Sequence, residues 1–454
     1  MKIKFLGIAC VALATIAAGE ARAQSRSGFF LDNYSYNYQL NPAMSVDRKA
    51  DFSFPGLGNL NVGVNGNVGL KNFIYNRNGK TVTFLHPDVS AAEAMDNIKT
   101  NNRIGASARE GIMSVGFRAL GGYNHVSLNT VANVQARVPR DLFSFVKEGV
   151  SNRVYDIGNV DARADAYAEL AFQHSHSLDK LVEGLTVGAA VKLLVGVGGA
   201  DINLRHAEAN LGYDQWTAST EGVAYLSVKN ASWKTKVGDD GATLVDGVNL
   251  DNFSAPTGYG VAFDLGATYK FGSDFTFGLA FTDIGFISWS NTITASTNGT
   301  HTFNSNNHVL DPDDFDSSWD KMRDDLEELY RLQAHDGTSS RCRALEATMN
   351  ASVEYQLPVY RQVSFGLLNS TRIASRFAWT DFRLSANYKP VKWIGLAVNY
   401  GVGTFGDSFG WMVNIAPKGF NLFVGMDHTL GKLSKEYIPL GSNAQFSFGI
   451  NFPL

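Results

Sequence analysis

Long runs in which apolar residues alternate with polar or small ones recur along most of this 454-residue chain. Between residues 185 and 195, for example, Leu, Val or Ala holds every second position, and Thr186, Gly188 and Lys192 lie between them. Successive side chains of a β-strand point to opposite faces, so each run predicts a strand with one apolar face. Many runs continue for about 9–13 residues, about the length that a tilted strand needs to cross a bilayer. The runs therefore favour a membrane-spanning sheet.

The composition agrees with a strand-rich wall and excludes several other classes of protein. Glycine contributes 45 residues and phenylalanine 30, while charged residues are only 18% of the chain. The glycines have no three-residue period, which excludes a collagen-like protein, and the apolar share of 44% is too high for general disorder. A mean hydropathy of −0.10 excludes a bundle of membrane helices. The net charge of −4 provides no basic surface for nucleic acid.

Residues 1–23 have the features of a secretory signal peptide. Lys2 and Lys4 precede the apolar stretch 5–18, and an Ala-Arg-Ala cleavage motif ends at Ala23. Such a segment directs export and is then removed. We therefore expect cleavage near Ala23 and a mature protein in the outer membrane of a Gram-negative cell.

The connections between the runs alternate between tight and long. Tight connections occur at 271–272, 389–390 and Pro417. The predicted long outer loops are 71–110, 139–160, 230–257, 289–344 and 428–443. Outer-membrane barrels have short periplasmic turns and longer outer loops, and a spanning sheet must close because a lipid-exposed edge leaves backbone groups unpaired. We therefore predict an all-β fold, a closed antiparallel transmembrane β-barrel over 55–454 with short helices in its loops. It has fourteen strands, or sixteen if every candidate run is counted.

Aromatic residues cluster where the predicted strands meet the two membrane interfaces. Tyr269, Tyr388 and Trp393 flank tight turns, and Trp289 lies near a predicted outer end. Rings with an apolar body and a polar edge favour that depth. We therefore predict that these four residues belong to the aromatic girdles of the barrel.

The segment 24–54 is polar and aromatic and has no long alternating run. Five aromatic residues lie within 29–38, which is too many for a disordered tail. We predict that this segment is a hatch, or plug, inside the barrel. The candidate plug and lumen residues are Phe29, Phe30, Tyr34, Asn41, Pro42 and Ala43.

One of the long loops carries a predicted helix with an apolar face. Its apolar residues recur at helical spacing, and they are Trp319, Met322, Leu326 and Tyr330. A face of this kind must pack against the loop itself, the barrel mouth or a partner.

Three motifs suggest chemistry, but each lacks the context that the chemistry requires. Residues 406–410 match G-x-S-x-G around Ser408, and 401–406 match G-x-G-x-x-G. Both motifs function at a strand-to-helix turn, and no helix is predicted after either. His174 and His176 supply two of the three or four protein ligands that zinc requires. We therefore predict no enzyme activity, no catalytic residue, no cofactor and no metal.

The plug-like segment with Asn41-Pro42-Ala43, followed by alternating strands to the C-terminus, resembles the long-chain fatty-acid transporter-like outer-membrane barrels. The run Thr282-Asp283-Ile284-Gly285-Phe286 also looks like a feature of that family. More closely, residues 39–43 and the Asn-rich first strand are similar to outer-membrane barrels of unknown function from Gram-negative anaerobes. The resemblance implies fourteen strands and an N-terminal hatch with an NPA element. No ligand residue of the transporters maps onto a motif in this sequence.

Two functions fit these features. The first is uptake or passage of small hydrophobic molecules past a lumenal plug, with a fatty-acid-like molecule as the candidate ligand. The second is a non-transporting barrel that acts as an accessory or scaffold in a secretion or envelope complex. Both have outer-membrane lipid as a partner, and the second adds an envelope protein.

Overall fold

A computed structural model describes residues 25–44, 49–54, 56, 58–69, 72–148, 153–211, 215–238, 241–250, 254–304, 330–429 and 443–454. The predicted leader lies outside these residues, as do Trp319, Met322 and Leu326 of the predicted loop helix. Tyr330 is described and buried, and its hydroxyl donates a hydrogen bond of 2.9 Å to the carbonyl oxygen of Ile157. No helix in the described ranges is long and apolar enough to cross a membrane.

The described residues form a closed antiparallel barrel of fourteen strands, as predicted. In chain order the strands are β1 (Ala50–Ser53 and Asn59–Gly66), β2 (Asn101–Ala119), β3 (Gly122–Pro139), β4 (Val160–Ser177), β5 (Leu185–Leu211), β6 (Gly258–Phe271), β7 (Phe275–Asn304), β8 (Ala347–Gln356), β9 (Val363–Ile373), β10 (Trp379–Val391), β11 (Ile394–Gly403), β12 (Gly406–Ile415), β13 (Asn421–His428) and β14 (Ala444–Pro453). Each pairs with the next, and β1 pairs with β14 opposite Phe452 and Phe448. The ring therefore has no open edge.

The two faces of the wall differ in the way that the alternation predicts. Along β5, Leu193 is 52% exposed on the outside, while its neighbour Lys192 is 3% exposed and faces the lumen. Tyr388 and Trp393 are exposed beside a tight turn, as predicted for the girdle. The prediction for Trp289 is wrong, because its ring is only 2% exposed and points inward. Glycines of the neighbouring strands leave room for this ring.

Two strands extend far beyond the membrane-spanning wall, and they explain the alternative count of sixteen. β5 has 27 residues and β7 has 30. Beyond the outer end of β6, the strand Gln215–Ser227 lies between the outer halves of β5 and β7 and pairs with both of them. Residues 200–211, which the count of sixteen takes as a strand of their own, are therefore the outer half of β5 and not a separate wall strand.

Several predicted boundaries are wrong because strand pairing continues where no apolar face is needed. β2 begins at Asn101, inside the predicted loop 71–110. β7 continues to Asn304, inside the predicted loop 289–344. The wall begins at Ala50, so the predicted division between hatch and barrel at residue 54 is also wrong. Outside the membrane, hydrogen bonds such as Thr220–Thr297 stabilise strands without an amphipathic pattern.

The outer loops contain short elements that pack on one another. Short helices are present in the loops, as predicted, and they are α1 (Ala91–Met95) and α2 (Arg140–Glu148). The remaining short elements are a 3-10 turn (Asn37–Gln39) and the strands Ile74–Arg77, Lys80–Thr83, Val154–Asp156, Ser232–Val237, Thr243–Asn249, Gln333–Ala334 and Ser339–Ala344. A buried apolar cluster that includes Met95, Phe145 and Tyr155 joins the loops to the outer halves of the long strands.

Candidate functional site

Residues 25–44, which we call the hatch, lie inside the barrel. They fold as successive turns, with hydrogen bonds from Leu31 N to Gly28 O and from Tyr34 N to Leu31 O. Nearly every hatch residue is buried, although the segment has no strand of its own. The structure places the predicted plug candidates Phe29, Phe30, Tyr34, Asn41, Pro42 and Ala43 among these buried residues.

The Asn41-Pro42-Ala43 turn is bound to three wall strands. The Asn41 side chain closes the turn by accepting a hydrogen bond of 3.0 Å from Ala43 N, and its Nδ2 donates to the carbonyl of Ala267 in β6. Pro42 O accepts a hydrogen bond of 2.8 Å from Gln173 Nε2 of β4. One residue earlier, the carbonyl oxygen of Leu40 accepts from the Asn350 amide of β8. A buried carbonyl needs such a partner, so the inward amides of the wall hold the turn in place.

The aromatic hatch residues fill the lumen on its periplasmic side. The rings of Phe29 and Phe30 meet edge to face with centroids 4.9 Å apart, and both pack against Leu368 of β9. The Tyr34 ring makes a similar contact of 4.9 Å with Phe423 of β13. Burial raises the pKa of Tyr34 well above its usual value, so its phenol remains neutral. These rings therefore fill part of the lumen with closely packed apolar side chains.

Inward-facing glycines of the wall leave the space that the hatch occupies. A methyl group at Gly188 of β5 would overlap the backbone of Pro42. A methyl group at Gly366 of β9 would overlap the ring of Phe30 in the same way. Glycine at these inward positions is therefore required by the close approach of the hatch and not by a turn.

Replacing Gly188 with alanine should loosen the hatch. The overlap of the added methyl group with Pro42 costs about 1–3 kcal/mol. Because only the docked state of the hatch contains this overlap, the undocked fraction should rise by about 5–150-fold. Gly198→Ala in the same strand is the matched control, because its methyl group would meet Val228 at an ordinary 3.4 Å. Hydrogen–deuterium exchange of hatch peptides measures the effect. Equal exchange in the two variants would contradict the close contact between Gly188 and Pro42.

The start of the hatch is anchored to a single carboxylate of the wall. Asp427 of β13 accepts hydrogen bonds from Arg26 N (2.8 Å), Ser27 N (2.7 Å) and Ser27 Oγ (2.6 Å). Arg383 of β10 donates to the carbonyl oxygen of Asp427 at 2.8 Å and to the carboxylate of Asp381 at 2.6 Å. The anchor therefore neutralises a buried carboxylate and satisfies the backbone donors of the hatch together.

The lumen wall above the hatch carries buried ion pairs. Lys192 Nζ lies 2.7 Å from a carboxylate oxygen of Asp264 and 2.7 Å from one of Asp283. Arg109 and Glu169 form a second buried pair on β2 and β4. Each of these charged side chains is thus paired with one from a nearby strand of the wall, which is how such charges are tolerated at membrane depth.

A cavity of about 350 Å³ opens beside the hatch at the periplasmic end. Phe30 and Met44 of the hatch and Phe275 of β7 give it an apolar side, while Lys270 and Glu354 provide charged groups. This volume is within the usual range for small-molecule pockets, about 300–1,000 Å³. The cavity could therefore accept a small molecule that has an apolar body and a polar end.

The motifs that suggested chemistry serve the wall. Ser408 lies within strand β12 and accepts a hydrogen bond of 3.2 Å from Arg383, and His428 Nε2 lies 3.3 Å from the same guanidinium nitrogen. Among the described residues no hydrogen bond joins Ser408 to His428. His174 Nδ1 pairs with the Asn124 side chain at 2.9 Å. The described ranges also contain no group of three or more His, Cys, Asp or Glu placed to hold a metal ion.

The wall residues that bind the hatch were missed by the sequence reasoning. Gln173, Asn350 and Asp427 occupy inward positions of their strands, and each contacts the hatch backbone. In the sequence, each of these residues is a polar residue at a position between the apolar residues of a long alternating run. Many other inward residues share that signal, so it does not distinguish hatch ligands from residues that only face water.

Comparison with known proteins gives similarity to outer-membrane channels. No curated protein matches the sequence significantly. The structure is similar to the toluene transporter TbuX of Ralstonia pickettii, at 10% identity over 92% of this chain and 93% of that one, with a TM-score of 0.42. It is also similar to a FadL homologue of Pseudomonas aeruginosa, at 10% identity over 96% and 99% of the two chains, with a TM-score of 0.43.

The translocator domain of the autotransporter NalP from Neisseria meningitidis is also similar, at 6% identity over 89% and 88% of the two chains, with a TM-score of 0.32. A family model described as a family of unknown function, DUF5723, matches residues 42–427, and the chain therefore belongs to that family.

Proposed function

We propose that this protein is an outer-membrane channel for small molecules and that the hatch closes it. The observation that carries the proposal is the fit of residues 25–44 into the lumen, where wall amides bind their backbone and inward glycines make room for them. A segment that only tethered the chain would not need to fill the passage. On this proposal residues 1–23 direct export and are removed near Ala23.

For the solute, we propose a small hydrophobic molecule with one polar end, such as a fatty-acid-like compound. The periplasmic cavity supports this class, because its lining combines the apolar side chains of Phe30, Met44 and Phe275 with the charged ones of Lys270, Glu354, Asp32 and Asp274. Aromatic hatch residues would offer further apolar contacts along the path as the hatch moves. The charged side chains above the hatch are paired with one another and would let a molecule of this kind pass.

Uptake by cells tests the proposal directly. Cells that express the full chain should take up a fluorescent medium-chain fatty acid faster than cells without it. Cells that express a variant with a loosened hatch, Gly188→Ala, should be faster still. A charged sugar of similar size is the control solute and should show no increase. If neither the full chain nor the loosened variant raises uptake of the fatty acid, passage of hydrophobic molecules is excluded.

The alternative is a non-transporting barrel that serves as a platform in an envelope complex. The observation that favours it is the amount of ordered chain outside the wall, where the extended halves of β5 and β7 support an apolar cluster of loops. Native mass spectrometry of protein extracted in mild detergent separates the two functions. A stoichiometric protein partner without a bound small molecule supports the platform, and a bound amphipathic molecule supports the channel.

A further inference from the structure

The short outer loop 374–378, between β9 and β10, turns inward and does not stay at the barrel rim. Phe377 at its centre is only 3% exposed. The Arg163 guanidinium of β4 lies 6.0 Å from the centroid of the Phe377 ring. In the sequence this segment is simply a short connection between two alternating runs, so its path inside the lumen is visible only in the structure.

Arg376 of this loop reaches strands on another side of the barrel. Its NH1 donates to Asp161 Oδ1 of β4 at 3.0 Å, and its NH2 donates to both carboxylate oxygens of Asp201 on β5, at 2.7 and 2.8 Å. A third strand also holds the loop, because Arg103 of β2 donates a hydrogen bond of 2.6 Å to the carbonyl oxygen of Ala378. The loop therefore crosses the passage and is fixed at its far end.

The carboxylates that receive Arg376 are buried and belong to the wall. Asp161 is fully buried and Asp201 is 2% exposed. Arg163 and Arg341 also lie within 3.5 Å of Asp201. A guanidinium shared between two carboxylates in this way has fixed geometry as well as charge attraction. The contact is therefore a specific latch and not a flexible surface ion pair.

The residue that directly follows the loop touches the hatch. The ring of Trp379, at the start of β10, has the Arg26 guanidinium of the hatch 4.6 Å from its centroid and that of Arg372 at 5.3 Å. The loop is therefore joined directly to a residue that contacts the start of the hatch.

We propose that the loop 374–378 is a second closure of the passage, in series with the hatch, and that Arg376 is its latch. Opening requires the guanidinium to leave Asp161 and Asp201, after which the loop can swing to the rim. Releasing the hatch alone leaves the loop as a remaining barrier, so passage rises less than when both closures are released. The physiological purpose of this closure rests on the proposed channel function, but its existence as a barrier does not.

A cysteine reporter below the loop tests the barrier independently of any solute. Thr348 of β8 faces the lumen between Glu346, which binds Arg372, and Asn350, which binds the hatch. In full-length protein in nanodiscs, with Cys10 and Cys342 changed to Ser, the Thr348→Cys thiol is labelled with a small charged maleimide. We expect Arg376→Gln to raise the labelling rate at least tenfold, and Arg376→Lys, which keeps the charge but loses the fork, to raise it less.

Arg361→Gln is the matched control. Arg361 also pairs with an aspartate, Asp274 at 2.7 Å, but at the exposed periplasmic end. It should leave the labelling rate of Thr348→Cys unchanged. The heat-dependent mobility of the folded barrel on denaturing gels verifies that each variant folds. If Arg376→Gln folds and labels within twofold of the parent rate, the loop is not a closure and the inference is wrong.

Single-channel recording separates this inference from the proposed function. The two closures are released singly and together, through Asp427→Ala at the hatch anchor and Arg376→Gln at the loop. We expect the double variant to conduct at least tenfold more than either single one. Conduction by Asp427→Ala alone, unchanged when Arg376→Gln is added, would overturn the inference and leave the channel intact. Faster labelling without conductance in any variant would support the closure and contradict the channel.

Discussion

Replacing Asp427 with alanine should release the start of the hatch from the wall. Three donors of Arg26 and Ser27 would lose their acceptor, and the buried Arg383 would lose a neighbouring negative charge. Breaking a buried charge network of this kind costs about 3–5 kcal/mol. Since each 1.4 kcal/mol is a factor of ten, the undocked fraction of the hatch should rise by about two to three and a half orders of magnitude.

Trypsin provides a direct measurement of this release. Arg26 is largely buried in the closed state, with 13% of its side chain exposed. In Asp427→Ala the protease should cleave after Arg26 in the folded barrel, so that N-terminal sequencing begins at Ser27. Asp427→Asn, which keeps one acceptor oxygen, should be cut at an intermediate rate. Asp336→Ala, on an exposed outer turn, is the control. If the protease cleaves Asp427→Ala no faster than Asp336→Ala, Asp427 does not anchor the hatch.

Replacing Lys192 with methionine should destabilise the barrel itself. Its side chain is 4% exposed, and its ammonium group lies 2.7 Å from a carboxylate oxygen of Asp264 and 2.7 Å from one of Asp283. Without it, two like charges would remain buried close together, and removal of one partner from a buried ion pair typically costs about 3–5 kcal/mol. We expect the free energy of unfolding to fall by that amount, which is a large part of the stability of a typical domain.

Guanidinium unfolding in lipid or detergent, followed by tryptophan fluorescence, measures the change. Lys180→Met in an exposed periplasmic turn removes the same charge without a buried partner and should shift the free energy of unfolding by less than about 0.5 kcal/mol. Lys192→Met combined with Asp264→Asn should recover part of the loss, because fewer unpaired charges remain. A Lys192→Met protein as stable as the Lys180→Met protein would show that the lumen is wet enough to solvate both carboxylates.

The wall could be predicted from the sequence because its signal is local. Alternation along 185–195 fixes which side chains of β5 face outward, whatever the strand pairs with. The plug candidates Phe29 and Asn41 could be identified for a similar reason, because aromatic and turn-forming residues without an alternating run do not fit a wall. The prediction for Trp289 is wrong because alternation separates the residues of a strand into two faces but does not by itself say which face is the outer one.

The partners of the hatch could not be predicted in this way. Ser27 and Asp427 are 400 residues apart in the chain, and Leu40 and Asn350 are 310 apart. Which inward residue meets which part of the hatch depends on the register of several strand pairs. A shift of two residues preserves the apolar face but moves every lumenal contact along the strand.

The sequence by itself therefore determined the class of fold, the two faces of the wall and the segment that does not belong to it. Periodicity and composition depend only on residues that are close in the sequence, so both can be interpreted without the tertiary structure. Tertiary structure alone decided that Asp427 anchors the hatch, that Lys192 joins two carboxylates and that Arg376 crosses the lumen. Barrel closure brings these distant residues together, and the buried charges require each other because the lumen offers them little water.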